Sequence, residues 1–122
     1  MDHATRAHSR FPAGLTVEIF TGPTEGSKIG AGSLLDISLG GCLLQYGGLL
    51  NIGATYRLRC VFENEYLDMP GRMVRGAGKS SLDPKARRYG LEFTLTYDQE
   101  KALRRLIDRI REGGTMTGDW TP

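Results

Sequence analysis

A chain of 122 residues has length for one domain with a single modest core, and its net charge of +2 is too mild for a protein that grips long nucleic acid mainly by charge. No apolar run approaches the ~20 residues needed to cross a bilayer, and Met1-Asp2-His3-Ala4-Thr5 offers no apolar signal core. The expectation is a soluble cytoplasmic protein without membrane insertion. Cys42 and Cys60 are too few for a disulfide scaffold, and His3 and His8 have no neighbours at metal-ligand spacing. Each cysteine lies in an apolar strand-like run and reads as a reduced, buried small hydrophobe.

Residues 1–12 show almost no apolar periodicity and read as a flexible N-terminal arm anchored at Phe11. The segment 13–112 then carries the folded body. Leu15-Thr16-Val17-Glu18-Ile19 alternates as a half-buried strand, and Thr21 to Ser27 is a loop. A second strand runs from about Lys28 to Leu35 and ends at Asp36-Ile37-Ser38-Leu39-Gly40-Gly41. A third covers Gly41 to Gln45. Gly47-Gly48 and Asn51-Ile52-Gly53 punctuate the way to a fourth, Thr55 to Phe62. That strand puts Tyr56, Leu58, Cys60 and Phe62 on one face and Arg57 and Arg59 on the other.

Glu63-Asn64-Glu65 makes a hairpin turn into a fifth strand, Tyr66 to Arg75, where Pro70-Gly71 predicts a bulge or kink. After a polar loop, a sixth strand is predicted over Arg88 to Tyr97, with Tyr89, Leu91, Phe93, Leu95 and Tyr97 on one face. One helix follows. Thr96 with Gln99 spells a capping box, with Asp98 as the alternative cap. Leu103, Leu106, Ile107 and Ile110 follow helical spacing, and Glu100 with Arg104 is an i,i+4 pair. Gly113-Gly114 ends the helix, and 113–122, including Trp120, reads as a loose tail. The order predicts an all-β fold: six short strands closing into a small barrel, with one C-terminal helix covering an opening or a side.

No nucleophile with an activator stands out, and no glycine-rich phosphate loop opens a helix, so an enzyme is not expected. What remains is a constellation suited to a small anionic ligand. Arg6 and Arg10 lie four apart in the arm. Asp36 supplies an acceptor, Ser38 a hydroxyl, and Gly41 a backbone without a Cβ. Asp-x-Ser-x-Gly-Gly is also a common turn sequence, because Asp and Ser bond their own backbone.

The pattern Arg6-x-x-x-Arg10 followed by Asp36-x-Ser38-x-x-Gly41 resembles the paired signature of PilZ domains, receptors for the bacterial second messenger cyclic di-GMP. The resemblance extends to Gly53, to Met73-Val74-Arg75 and to Tyr89-Gly90-Leu91-Glu92-Phe93, and covers about Arg6 to Ile110. It implies a six-stranded antiparallel PilZ-like β-barrel with one C-terminal α-helix. It also implies cyclic di-GMP as ligand, no cofactor, ligand-binding residues Arg6, Arg10, Asp36, Ser38 and Gly41, and an effector that relays the signal to a protein partner. Arg72 and Arg75 are candidate extra contacts. Many family members carry further arginines before the first motif arginine; Thr5 stands there in this chain, which favours a single bound ligand over an intercalated pair. Two other readings are a PilZ-like adaptor that works by protein contact without nucleotide, and a small barrel for single-stranded nucleic acid, which would require exposed stacking aromatics along a basic groove.

Overall fold

The computed structural model describes residues 10–22, 26–79 and 87–112. Strands β1 (Phe11–Thr21), β2 (Lys28–Ile37), β3 (Gly41–Tyr46), β4 (Thr55–Phe62), β5 (Glu65–Lys79) and β6 (Arg87–Phe93) precede helix α1 (Tyr97–Arg111). They close into an antiparallel barrel in the order β1-β2-β3-β6-β5-β4, with β4 returning to β1. Closure satisfies the backbone groups that an open sheet would leave at its edges.

Alternation decides what faces inward. Leu15, Val17 and Ile19 of β1, Tyr56, Leu58, Cys60 and Phe62 of β4, and Tyr89 and Leu91 of β6 all point into one core. Both cysteines are free and buried there. Two inward tyrosines reach the barrel end and fasten the β3–β4 connection. Tyr89 Oη donates to the Gly48 carbonyl at 2.8 Å, and Tyr56 Oη accepts from Asn51 N–H at 2.8 Å. Gly53 follows at φ +90, a conformation that suits glycine, with its N–H on the Met73 carbonyl at 2.8 Å.

The β4–β5 turn has Glu63 at φ 57 and Asn64 at φ 64 between the paired residues Phe62 and Glu65. Two positive φ angles in a two-residue loop make a type I′ turn, which matches the twist of the strands it joins. Glu63 also reaches the helix, pairing with Arg105 at 3.1 Å and Arg109 at 3.6 Å.

Helix α1 starts with a full capping box. Gln99 N–H donates to Thr96 Oγ1 at 3.1 Å, and Thr96 N–H donates to Gln99 Oε1 at 2.9 Å. Its apolar stripe buries Leu103, Leu106 and Ile107 against the barrel, at about 1.5–3 kcal/mol for each side chain removed from water. Its last turn lies by the start of β1, with the Arg111 guanidinium 5.5 Å from the centre of the Phe11 ring. No helix among the described residues is long and apolar enough to cross a membrane.

Three expectations are corrected. The sixth strand stops at Phe93 and does not run to Tyr97. Thr94 N–H turns to the Pro70 carbonyl, Thr96 caps the helix, and Tyr97 is its exposed first residue. Pro70 does not break β5 either: the β4 register runs unshifted through Arg57↔Pro70 and Tyr56↔Gly71. The Pro70 carbonyl points to the β6 side, where it meets Thr94, so the N–H that proline lacks would also point there, just past the end of β6. Arg57 faces outward, as expected, and is covered there. Its side chain is 8% exposed, stacked 4.4 Å from the Phe20 ring centre and paired with Asp68 at 3.3 Å. Strand β1 begins at Phe11, inside the segment read as the arm, with Phe11 opposite Ile37 and Pro12 opposite Asp36.

Candidate functional site

The site grows from the end of β2. Leu34 and Ile37 point inward and are fully buried, while Asp36 lies on the outer surface. Against β3 the register shifts between Leu34 and Asp36, which leaves Leu35 as an extra residue and sets Asp36 opposite Leu43; against β1 the shift lies between Pro12 and Leu15, and there the extra residue belongs to β1. Ile37 then pairs with Cys42, and Ser38 to Gly41 make the turn.

Ser38 holds that turn together. It is 4% exposed, and its Oγ accepts from the N–H groups of Gly40 at 3.1 Å and Gly41 at 3.2 Å. Its hydroxyl also lies 3.3 Å from the Gly41 carbonyl, to which it donates, and Ser38 N–H donates to the same carbonyl at 2.8 Å. Every hydrogen-bonding role of the hydroxyl is thus used inside the turn. Asp36 and Ser38 are two apart in sequence but face different surroundings: outer surface for the carboxylate, turn interior for the hydroxyl.

Gly41 is required by the barrel itself. A Cβ there would stand 2.2 Å from the Leu91 carbonyl oxygen of β6. Neither Gly40 nor Gly41 has a positive φ. The glycine serves a close approach of two strands rather than a left-handed turn.

Arg10 meets Asp36 across 26 residues of chain. Its Nη1 donates to Asp36 Oδ1, and the two side chains are 32% and 27% exposed. The pair is open enough for a ligand to reach and exposed enough to be exchanged at low cost, as surface ion pairs contribute little net stability. Arg6, the other arm arginine, lies outside the described residues, as do Thr5, His3, His8 and Trp120. Beneath the site, the Cys42 thiol is pushed up above its ordinary range, chiefly by burial, with the Asp36 charge adding to the rise and Arg10 opposing it.

Across the outer face the pairing continues from Asp36 to Leu43, from Leu43 to Gly90, and from Gly90 to Arg75. In the neighbouring row Arg72 pairs with Glu92 at 3.5 Å, both well exposed. Arg88, the outward residue two before Gly90, has a buried Nε with no hydrogen-bond partner among the described residues. Gly90 and Arg88 were not singled out for function in the sequence. A glycine inside the otherwise well-filled strand Tyr89-Gly90-Leu91 was the available signal for a close approach. What crosses it depends on strand register. Among the described residues, no group of three or more His, Cys, Asp or Glu side chains is placed to hold a metal ion.

Comparison with known proteins gives consistent matches. The family model for the PilZ domain matches residues 4–109. Among solved structures, the PilZ domain of CeSA from a cellulose-synthesizing bacterium is similar at 27% identity and a TM-score of 0.65, over 84% of this chain and 98% of that one. The PilZ domain of YcgR from Escherichia coli, solved with c-di-GMP, shares the fold at 18% identity and a TM-score of 0.69, over 88% of this chain and 92% of that one. The inhibitor of motility MotI/DgrA of Bacillus subtilis shares it at 21% identity and a TM-score of 0.66. There the match spans 88% of this chain and about half, 51%, of the other. A comparison with curated protein sequences finds no match.

Proposed function

The chain belongs to the PilZ domain family, and from that premise we propose that it is a receptor for cyclic di-GMP that passes the signal to a protein partner. The observation that carries this reading is the Arg10–Asp36 pair. A guanine presents the acceptors O6 and N7 and the donor N2–H₂, with N1–H beside it. A guanidinium and a carboxylate standing together complement both kinds of edge. Without ligand the two groups satisfy each other; with ligand each trades its partner for a guanine edge or a phosphate.

In this reading the residues take different roles. Asp36 and Arg10 contact the ligand. Arg6, four residues before Arg10, joins from the arm. Ser38 and Gly41 act mainly by fixing the turn and the β3–β6 approach that hold Asp36 in place. The arm ahead of β1, which carries Arg6 and Arg10, is the element that changes position on binding, and a partner reads that change. This is a binding role with no catalytic step. The CeSA and YcgR domains support it in different ways, the first by its 27% identity and the second as a solved cyclic di-GMP complex on the same fold.

Calorimetric titration with cyclic di-GMP, with GTP and a short RNA as controls, tests the proposal. Saturable binding of cyclic di-GMP alone is the expected result. No cyclic di-GMP binding would favour an adaptor acting without nucleotide, and tighter binding of the RNA would favour a single-strand binder.

A further inference from the structure

The barrel closes between β1 and β4 through four residue pairs, from Thr21↔Tyr56 to Glu18↔Arg59. Before Glu18 the two strands part. Leu15, Thr16 and Val17 pair with β2 alone, and Cys60, Val61 and Phe62 with β5 alone. The cause lies in β1, where the register against β2 shifts between Pro12 and Leu15 and Gly14 stands at φ +60. A bulge bends its strand and adds twist, which turns the start of β1 away from β4. A Cβ on Gly14 would meet nothing within 4 Å, so the backbone angle rather than space asks for glycine. The end of α1 spans the wide end of this fork. Arg109 lies 5.7 Å from the Phe62 ring centre on the β4 side, and Arg111 lies 5.5 Å from that of Phe11 on the β1 side. At the narrow end a crevice of about 220 Å³ stays open, bordered by Thr16 and Glu18 of β1, Arg59 and Val61 of β4, and Tyr66 of β5.

Beside the crevice stands the cross-strand pair Val61↔Tyr66, two large side chains that are 59% and 66% exposed. Tyr66 is held in place from one side. Arg59 stacks 4.4 Å from its ring centre, and Asp68 fixes Arg59 through bonds of 2.7 and 3.3 Å while pairing with Arg57 at 3.3 Å. A second hollow, of about 480 Å³, lies along the same pair toward the β4–β5 turn, lined by Val61, Asn64, Glu65 and Tyr66. Three charged residues line the two hollows. Arg59 is committed to Asp68 and Glu18 to Lys28, whereas Glu65 forms no ion pair among the described residues. The unmatched charge is that one carboxylate.

We infer that this fork is a docking site for a protein partner, which lays an extended segment along the parted edge with an apolar side chain against Val61 and Tyr66 and a basic one toward Glu65. Three features specify that occupant. A strand edge without a neighbour presents N–H and C=O groups at strand spacing, which an extended chain matches and a helix does not. Val61 and the stacked Tyr66 form an apolar anchor that is ordered before the partner arrives, so little entropy is lost on contact. Side chains two apart in a strand share a face, so one short segment supplies both the apolar and the basic group. The fork lies on the β1–β4 seam and does not depend on nucleotide binding at Asp36. Strand β1 serves both places, with Pro12 opposite Asp36 and Thr16 at the crevice.

An NMR titration of the full chain, without nucleotide, tests the site with the end-capped hexapeptide Lys-Val-Lys-Val-Lys-Val as probe. Its fully N-methylated analogue keeps the side chains but has no N–H donors, and Glu-Val-Glu-Val-Glu-Val keeps the backbone but reverses the charge. The expected result is saturable shifts centred on the amides of Thr16, Val17, Cys60 and Val61. Binding should be roughly tenfold weaker or worse for both control peptides and for Tyr66→Ala, and unchanged for Leu49→Ala, an exposed apolar residue of the β3–β4 connection. Glu65→Lys, on an exposed side chain outside the core, should also weaken the probe and serves as the second variant if Tyr66→Ala melts early. Equal binding of the N-methylated peptide would overturn strand addition. Shifts centred elsewhere, or none, would overturn the site. Shifts of the same amides with protein concentration alone would assign the fork to a second copy of this chain and overturn the partner. A failed cyclic di-GMP titration would leave each of these outcomes as it stands.

Discussion

Ser38 and Asp36 stand two residues apart, yet the first is closed in on the barrel and the second faces out. The Ser38 hydroxyl spends its hydrogen bonds on Gly40 and Gly41 of its own turn, and Gly41 fits against the Leu91 carbonyl. Asp36 bonds to Arg10, a residue from outside the barrel core, on an exposed surface. One contiguous sequence motif therefore contains two functions. Its second half builds the β2–β3 turn, and its first half presents a carboxylate whose partner can be exchanged. A side chain whose bonds are all satisfied locally makes a scaffold. One held by a single half-exposed ion pair is available to a ligand at little cost to folding.

Substitutions can break or sharpen that contrast. Gly41→Ala should have the largest effect, because a methyl 2.2 Å from a backbone oxygen has no flexible neighbour to displace and must push β3 from β6. We expect a stability loss at or above the ~3 kcal/mol typical of severe overpacking, read as a melting temperature lower by more than ~10 °C. Melting within ~2 °C of the parent would make Gly41 a ligand residue and dissolve the division. Arg10→Ala should do the reverse. Loss of a charge-assisted contact worth ~1.5–3 kcal/mol weakens cyclic di-GMP tenfold to a hundredfold in calorimetry, while unliganded melting barely moves.

Ser38→Ala removes the acceptor of two backbone N–H groups in a buried turn. Thermal denaturation should show a loss of ~1–3 kcal/mol before any ligand is added. The smallest effect concerns pH. Burial, with a lesser contribution from Asp68, pushes the Cys60 thiol from 9.0 up to about 11. A thiol that holds its proton more tightly when folded stabilises the native state fully below pH 9, and that contribution is lost as pH rises through about 11. Melting temperature should fall over that window and fall less in Cys60→Ala, whereas a flat alkaline profile in the parent would show the thiol to be relaxed.

Much of the architecture was legible because alternation and helical spacing are local. The inward faces of β4 and β6, the hairpin at Glu63-Asn64 and the capping box at Thr96 follow from neighbours in sequence. The misreadings share a cause in register. Extending the sixth strand to Tyr97 would give Pro70 a strand partner and hence force a bulge. With β6 ending at Phe93, the missing N–H of Pro70 faces no donor-seeking neighbour. Arg57 was placed on the correct face, but nothing in its own strand tells that Phe20 of β1 lies over it. At the site, the resemblance named Arg10 and Asp36 as ligand residues, but their bond to each other was not read from the sequence. The inward turn of Ser38 and the lean of Arg75 over Gly90 depend on bulges and on which residues oppose each other, which residue spacing does not encode.

The most direct test pairs two readings on one variant, Asp36→Ala: its melting temperature without ligand and its affinity for cyclic di-GMP by calorimetry. The account predicts melting within ~2 °C of the parent, as expected for a half-exposed ion pair, together with an affinity at least ~10-fold weaker. A protein that melts as early as Ser38→Ala but binds cyclic di-GMP as tightly as the parent would contradict it, and would assign Asp36 to the turn.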